Sequence, residues 1–220
     1  MIVEDLTYQV GIRIGEFHTW KDFQMYLNEV YLGETVQERF TADVPGLGTI
    51  AFDDFLDFPT YKQRTLRFSF DVIDNGFPGH YRISSKIKNA FQGENKKIIL
   101  DEDSDYYWFG HVSVDTHKKN AVASTVIVTC TVNPYKMKNE LTIVKSVISG
   151  EAQIICSNEG KSVVPTIIAD SDFRVTFEGT SYVVKAGTTL HPDMLFQSGN
   201  NILDCYGNGT ITFEYREGSL

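Results

Sequence analysis

At 220 residues and 24.9 kDa the chain is long for one domain and short for three, on a scale of about 150 residues per domain. An apolar share of 42% with 22% charged residues and a mean hydropathy of −0.19 exclude disorder and collagen-like repetition. Twenty Lys and Arg against 29 Asp and Glu, a net charge of −9, argue against a nucleic-acid backbone or an anionic membrane as main partner, because either needs a basic face.

The uneven use of aromatics, 15 Phe and 11 Tyr beside 17 Gly, reads as sheet punctuated by turns. The N-terminus carries Glu4 and Asp5 where a signal peptide needs basic residues, so synthesis and folding in a reducing cytoplasm is the expectation. No apolar run approaches the length of a membrane-spanning helix. Thr19–Leu27, with Thr19 ahead of Phe23, Tyr26 and Leu27, reads either as a short helix or as a turn followed by a strand. Val44-Pro45-Gly46-Leu47-Gly48 lacks the Lys-Ser/Thr of a phosphate loop and reads as a β-turn. Thr65–Val72 alternates strictly, with Leu66, Phe68, Phe70 and Val72 on one face. In Tyr81–Gly93 the residues Ile83, Ile87, Ala90 and Phe91 recur at helical spacing, and Gly93 sits where a left-handed cap stops a helix. Lys96–Leu100, Tyr106–Val114 and Ser124–Val132 read as further strands.

Pro134 ends the last of these, and a domain boundary is expected there, giving domains 1–136 and 137–220 with net charges of −5 and −4. Beyond it come short strand candidates: Leu141–Ile148, Ala152–Cys156, Thr166–Ala169, Phe173–Phe177, Ser181–Lys185, Ile202–Cys205 and Thr210–Tyr215. Glycine-containing turns separate them, which is the pattern of a small β-sandwich or jelly roll.

Sites for chemistry are sparse. The three cysteines, Cys130, Cys156 and Cys205, are widely spaced and form no Cys-x-x-Cys pair, so buried thiols acting as small hydrophobes are expected. Asp101-Glu102-Asp103-Ser104-Asp105 begins like a calcium loop, but Tyr106 stands where the sharp turn needs glycine and Val112 where a bidentate Glu is needed. A solvated turn between strands is the expectation, with a looser cation site left open. Asp53, Asp54 and Asp57 could supply paired carboxylates of a glycosidase, yet their alternation with Phe52, Phe55 and Phe58 fits a loop that docks its aromatics. The five histidines make no zinc-ligand spacing, and no Gly-x-Ser-x-Gly elbow occurs. No catalytic residue, metal or cofactor is therefore expected. A lectin-like sugar site would want exposed aromatics, but Phe173, Phe177, Phe213 and Tyr215 fall in core-facing alternation.

Taken in order, Ile14–Phe23, Asp43–Gly48, Tyr61–Phe68, Lys97–Val112, Cys130–Lys136 and Phe213–Leu220 together resemble one family. It is that of the distal tail (Dit) proteins of long, non-contractile-tailed bacteriophages infecting Gram-positive hosts, including prophage copies. The resemblance implies a mainly β fold: an N-terminal β-sandwich with an added helix and an extended arm, followed by a galectin-like β-sandwich. It implies a non-enzymatic virion protein of the tail tip, a homo-hexameric ring joining the tail tube to the tail-associated and receptor-binding proteins. DNA would pass through its channel without specific binding. It makes the helix residues Ile83, Ile87 and Phe91 and the loop residues Phe52, Phe55 and Phe58 subunit-interface candidates. Residues 137–220 leave no room for the sugar-binding insertions of larger relatives, so the alternative, a module recognising host cell-wall polysaccharide, has less to stand on.

Overall fold

The computed structural model describes residues 10–46, 48–51, 59–73, 77–120 and 122–220. They form two compact units, Met1–Pro134 and Tyr135–Leu220, and the fold is mainly β.

The first unit contains, in chain order, β1 (Ile12–Ile14), β2 (Phe17–His18), α1 (Thr19–Phe23), β3 (Tyr26–Leu32), β4 (Thr41–Val44), β5 (Gly48–Ala51), β6 (Arg64–Ile73), α2 (Phe77–Phe91), β7 (Asn95–Leu100), β8 (Tyr106–Lys118) and β9 (Ala123–Val132). All strands except β4 and β5 join one antiparallel sheet in the order β2-β1-β7-β8-β9-β6-β3. Its inner face follows from alternation: Leu66, Phe68, Phe70 and Val72 of β6 are buried, as are Val126, Val128, Cys130 and Val132 of β9. Helix α2 covers this face with the side that the 3.6-residue period predicts. Ile87 and Phe91 are fully buried, Ala90 nearly so, and Ile83 packs partly against the same core. The Phe91 ring lies 5.1 Å from that of Phe23. The helix starts before Tyr81, because Pro78 falls in the first turn, where a missing N–H costs no hydrogen bond. It stops ahead of Gly93, at φ 98°.

Helix α1 is shorter than a helix over Thr19–Leu27 would be. Gln24 takes a left-handed conformation at φ 53°, and its N–H closes the last turn on the Trp20 carbonyl at 2.9 Å. Tyr26 and Leu27 then open β3, opposite Asp71 and Phe70. Between β3 and β6 the chain leaves the sheet as an arm. Its stem is a bridge between Gln37 and Tyr61, with Glu38 N–H donating to Thr60 O and Lys62 N–H to Val36 O, each at 2.9 Å. Further out, β4 and β5 form a separate two-stranded sheet running from the Thr41–Ala51 pair to the Val44–Gly48 pair.

The second unit holds β10 (Lys136–Lys138), β11 (Thr142–Asn158), β12 (Thr166–Ala169), β13 (Phe173–Phe177), β14 (Thr180–Val184), β15 (Gly187–Leu190), β16 (Gly199–Tyr215) and β17 (Gly218–Ser219). Here the sequence expectation of separate short strands is corrected. Leu141–Ile148 and Ala152–Cys156 are parts of one strand, β11, and Ile202–Cys205 and Thr210–Tyr215 are parts of β16. The two pair without interruption from Thr142–Tyr215 to Asn158–Gly199. Gly150, at φ 91°, stands opposite Gly207, so glycine lets the ladder bend where it was read as breaking it. The other edge of β16 carries β13 along Leu203–Gly207 and β12 along Ile211–Glu214, and β14 and β15 pair outside those.

One face stays inward along the whole of β16, with Asn201, Leu203, Cys205, Ile211, Phe213 and Tyr215 all buried. No helix is present in this unit to cover that face, so the bent sheet buries it against itself. The result is a sandwich whose single core holds Phe173, Val175, Phe177, Ile167, Phe196 and Phe213.

Candidate functional site

Of the residues singled out for chemistry, Asp101 is spent on structure. Asp101–Asp103 form a short 3-10 turn, and the Asp101 carboxylate turns inward to accept from Gly11 N–H at 2.8 Å. It also meets Nε2 of His18, 3.1 Å from both carboxylate oxygens. His18 Nδ1 accepts from the N–H groups of Trp20 and Lys21 at 3.1 and 3.2 Å. That leaves the ring proton on Nε2, facing Asp101, and makes the imidazole the N-cap of α1. The dyad therefore ties α1 to the start of the 3-10 turn. His18→Ala is expected to lower the stability of the first unit by about 2 kcal/mol. His18→Asn, which can still cap, should recover part of this. Tryptophan fluorescence during urea unfolding reads the effect, since Trp20 and Trp108 both lie in this unit.

Among the described residues no group of three His, Cys, Asp or Glu is placed to hold a metal ion. The three cysteines are free and buried. Burial pushes the thiols of Cys130, Cys156 and Cys205 up to about 12, which removes them from nucleophilic or redox chemistry at neutral pH. Asp53, Asp54 and Asp57 lie outside the described residues, as do Phe52, Phe55 and Phe58.

What the first unit does present is surface. The outer face of its sheet forms an open trough of about 720 Å³, lined among others by Glu29, Tyr31, Arg67, Asp115, His117 and Thr129. Register explains the lining: Tyr31, Arg67, Thr129 and Ser113 stand side by side across β3, β6, β9 and β8. The lining is mixed, with the carboxylates of Glu29 and Asp115, the Arg67 guanidinium and neutral polar groups between them. At the β3 edge the apolar surface outruns its cover. Val30 and Leu32 pair with Phe68 and Leu66, yet remain 42% and 40% exposed, and on the arm Val36 and Phe40 are half exposed.

The helix stripe nominated from sequence is different, because Ile87 and Phe91 are fully buried in this chain's own core and have no surface to offer another subunit. The exposed side of α2 instead carries Tyr81, Arg82 and Lys86, a pattern that a search for apolar contacts passes over. In the second unit Phe173, Phe177, Phe213 and Tyr215 are buried as their alternation predicts. The exposed Tyr206 lies between Glu151 and Arg174 on the outer face.

No family model matches the sequence, and no curated protein matches it. Comparison with solved structures finds the Dit protein of phage SPP1, described as a paradigm of the hub adsorption apparatus in phages infecting Gram-positive bacteria, at a TM-score of 0.64. The chain has a Dit-like fold. The likeness covers 97% of this chain and 100% of the SPP1 protein at 15% identity, so it extends through both units and is carried by architecture. No helix among the described residues is long and apolar enough to cross a membrane.

Proposed function

We propose that this chain is a structural, non-enzymatic subunit of a phage tail tip, which closes into a six-copy ring joining the tail tube to the tail-associated and receptor-binding proteins. The observation that carries the reading is the likeness to the SPP1 hub protein, which spans 97% of one chain and 100% of the other. In this reading residues 1–136 form the ring and residues 137–220 are a galectin-like sandwich. An open sheet with β2 and β3 as its ends and apolar residues bare at β3 suits a protein that is completed by neighbours. The net charge of −9 suits a channel wall that lets DNA pass without holding it, because acidic surface repels phosphate.

Two measurements test this. Negative-stain images of the purified protein are expected to show six-fold rings with a central hole. Antibody labelling of phage particles carrying an epitope-tagged copy is expected to mark the tail tip; label absent from the particle, or confined to the head, overturns the reading. Saturable binding of cell-wall polysaccharide by a chain that forms no rings would favour the sugar-binding alternative.

A further inference from the structure

Helix α2 departs from the charge balance of the chain. In a protein with a net charge of −9 its charged residues are Arg82, Lys86 and Lys88, and it contains no acid. Arg82 and Lys86 stand one turn apart, about 6 Å along the axis, with Ser85 and Asn89 beside them on the same face. All four are exposed. Lys21, also exposed, lies on α1, whose Phe23 ring centre is 5.3 Å from the Lys86 ammonium. Among the described residues none of Lys21, Arg82, Lys86 and Lys88 is paired with a carboxylate. Asp22, the acid of α1, accepts from the His18 N–H at 2.6 Å.

Stability does not call for this arrangement. Like charges one turn apart repel and weaken a helix, and α2 is held to its sheet by other groups. Ile87 and Phe91 are buried in the core, and Ser84 and His80 hydrogen-bond Thr116 and Ser124. The outer face therefore suits an anion from outside the chain. Acids elsewhere on the protein do not cancel the attraction, because exposed charges more than about 8 Å apart are largely screened at physiological ionic strength.

The chemistry of the face narrows the class of anion. Apart from Tyr81, 62% exposed, it offers Lys, Arg, Ser and Asn, whereas the core of a protein interface is depleted in Lys and Ser. Duplex DNA carries one charge per about 1.7 Å and would press that density against the acidic remainder of the chain. A flexible single chain whose phosphates are spaced by hydroxyl-bearing units fits better. The guanidinium and the ammonium take phosphates, and Ser85 and Asn89 hydrogen-bond the hydroxyls between them.

We propose that the outer face of α2, with Arg82, Ser85, Lys86 and Asn89, binds a phosphodiester polymer of the host cell wall. The choice of a wall polymer rests on the tail-tip reading above, under which the chain meets the cell surface. One stripe of a few cations binds weakly, and repeated copies in one particle add avidity.

The test titrates the full-length protein with synthetic poly(glycerol phosphate) by calorimetry at low and at raised salt. Wild type is expected to bind, with an affinity that falls as salt rises. Arg82→Gln combined with Lys86→Gln should weaken binding about tenfold or more, with the urea midpoint of tryptophan fluorescence unchanged because both side chains are exposed. Removing two exposed cations of the second unit, Lys145→Gln with Arg174→Gln, should leave the affinity within about twofold, since they lie off the stripe. No binding by wild type, an equal loss in the second-unit variant, or tighter binding of duplex DNA or polyglutamate at equal charge each overturn the assignment. The two readings fail separately. Label at the tail tip without polymer binding removes this site alone, whereas polymer binding by a protein missing from the particle removes the tail-tip reading alone.

Discussion

Phe196→Ala is expected to cost the second unit about 3–5 kcal/mol, a large part of the stability of a domain of this size. The Phe196 ring is fully buried and sits among Tyr215, Phe177 and Phe213 at 5.3, 5.5 and 6.3 Å. Its neighbours come from both halves of the folded sheet: Phe177 from β13, Phe213 and Tyr215 from the far end of β16. The residue is also anchored by its backbone, exchanging hydrogen bonds with Val163 at 2.9 and 3.1 Å, while its carbonyl accepts from the Asn158 side chain. A hole at this position is walled by hydrogen-bonded strands that cannot slide together, so the cavity persists and the cost lies near the top of the range. Phe196→Leu, which fills most of the space, should cost less than half as much. Because both tryptophans belong to the first unit, the readout is amide hydrogen exchange along β11 and β16. Protection there unchanged by Phe196→Ala would contradict the single shared core.

How far this architecture could be read in advance depended on whether the signal was local. The alternation of Thr65–Val72 and the spacing of Ile83, Ile87, Ala90 and Phe91 report which side of an element is apolar, and apolar sides are buried for reasons that act within a few residues. The second unit misled because glycine has two meanings. The Gly207-Asn208-Gly209 run reads locally as a break between two strands, but it faces Gly150 and its neighbours across one continuous ladder. Only the pairing of residues more than fifty positions apart separates a bend from a break. The same limit hid the link between His18 and Asp101, 83 residues apart. Of the interface candidates on α2, Ile87 and Phe91 are committed to this chain's own core by the same helical spacing that located the helix.

Glu217→Leu is expected to destabilise the second unit by about 2–3 kcal/mol near neutral pH and to flatten its loss of stability in acid. The carboxylate is 4% exposed and stands where the last strand of the second unit, β17, meets that unit's first, β10. It accepts from the hydroxyl of Thr142, from the N–H of Glu159 at 2.8 Å and from the ammonium of Lys138 at 3.3 Å. Burial pushes the Glu217 carboxyl up, but these three donors together outweigh it and hold it below the ordinary value of 4.5. The folded value is therefore lower than the unfolded one. The resulting stability is fully present above about 4.5 and is lost as pH falls through the depressed folded value. Lys138 behaves as the mirror image: burial pulls its ammonium down, while Glu217 and Glu159 more than compensate and raise it above 10.5. Its share is present below that pH and lost as the pH rises through the folded value. Glu217→Gln removes the titrating group and can keep part of the hydrogen bonding, so its loss near neutral pH should be smaller than that of Glu217→Leu. Both variants should show a shallower fall in stability below pH 4.5 than wild type, the remainder coming from carboxylates such as Asp170 and Asp172 that are also held below their ordinary value. Urea midpoints followed by hydrogen exchange between β11 and β16 at acid and neutral pH measure this directly. A Glu217→Gln chain that loses stability in acid as steeply as wild type would show that the acid sensitivity resides in other carboxylates.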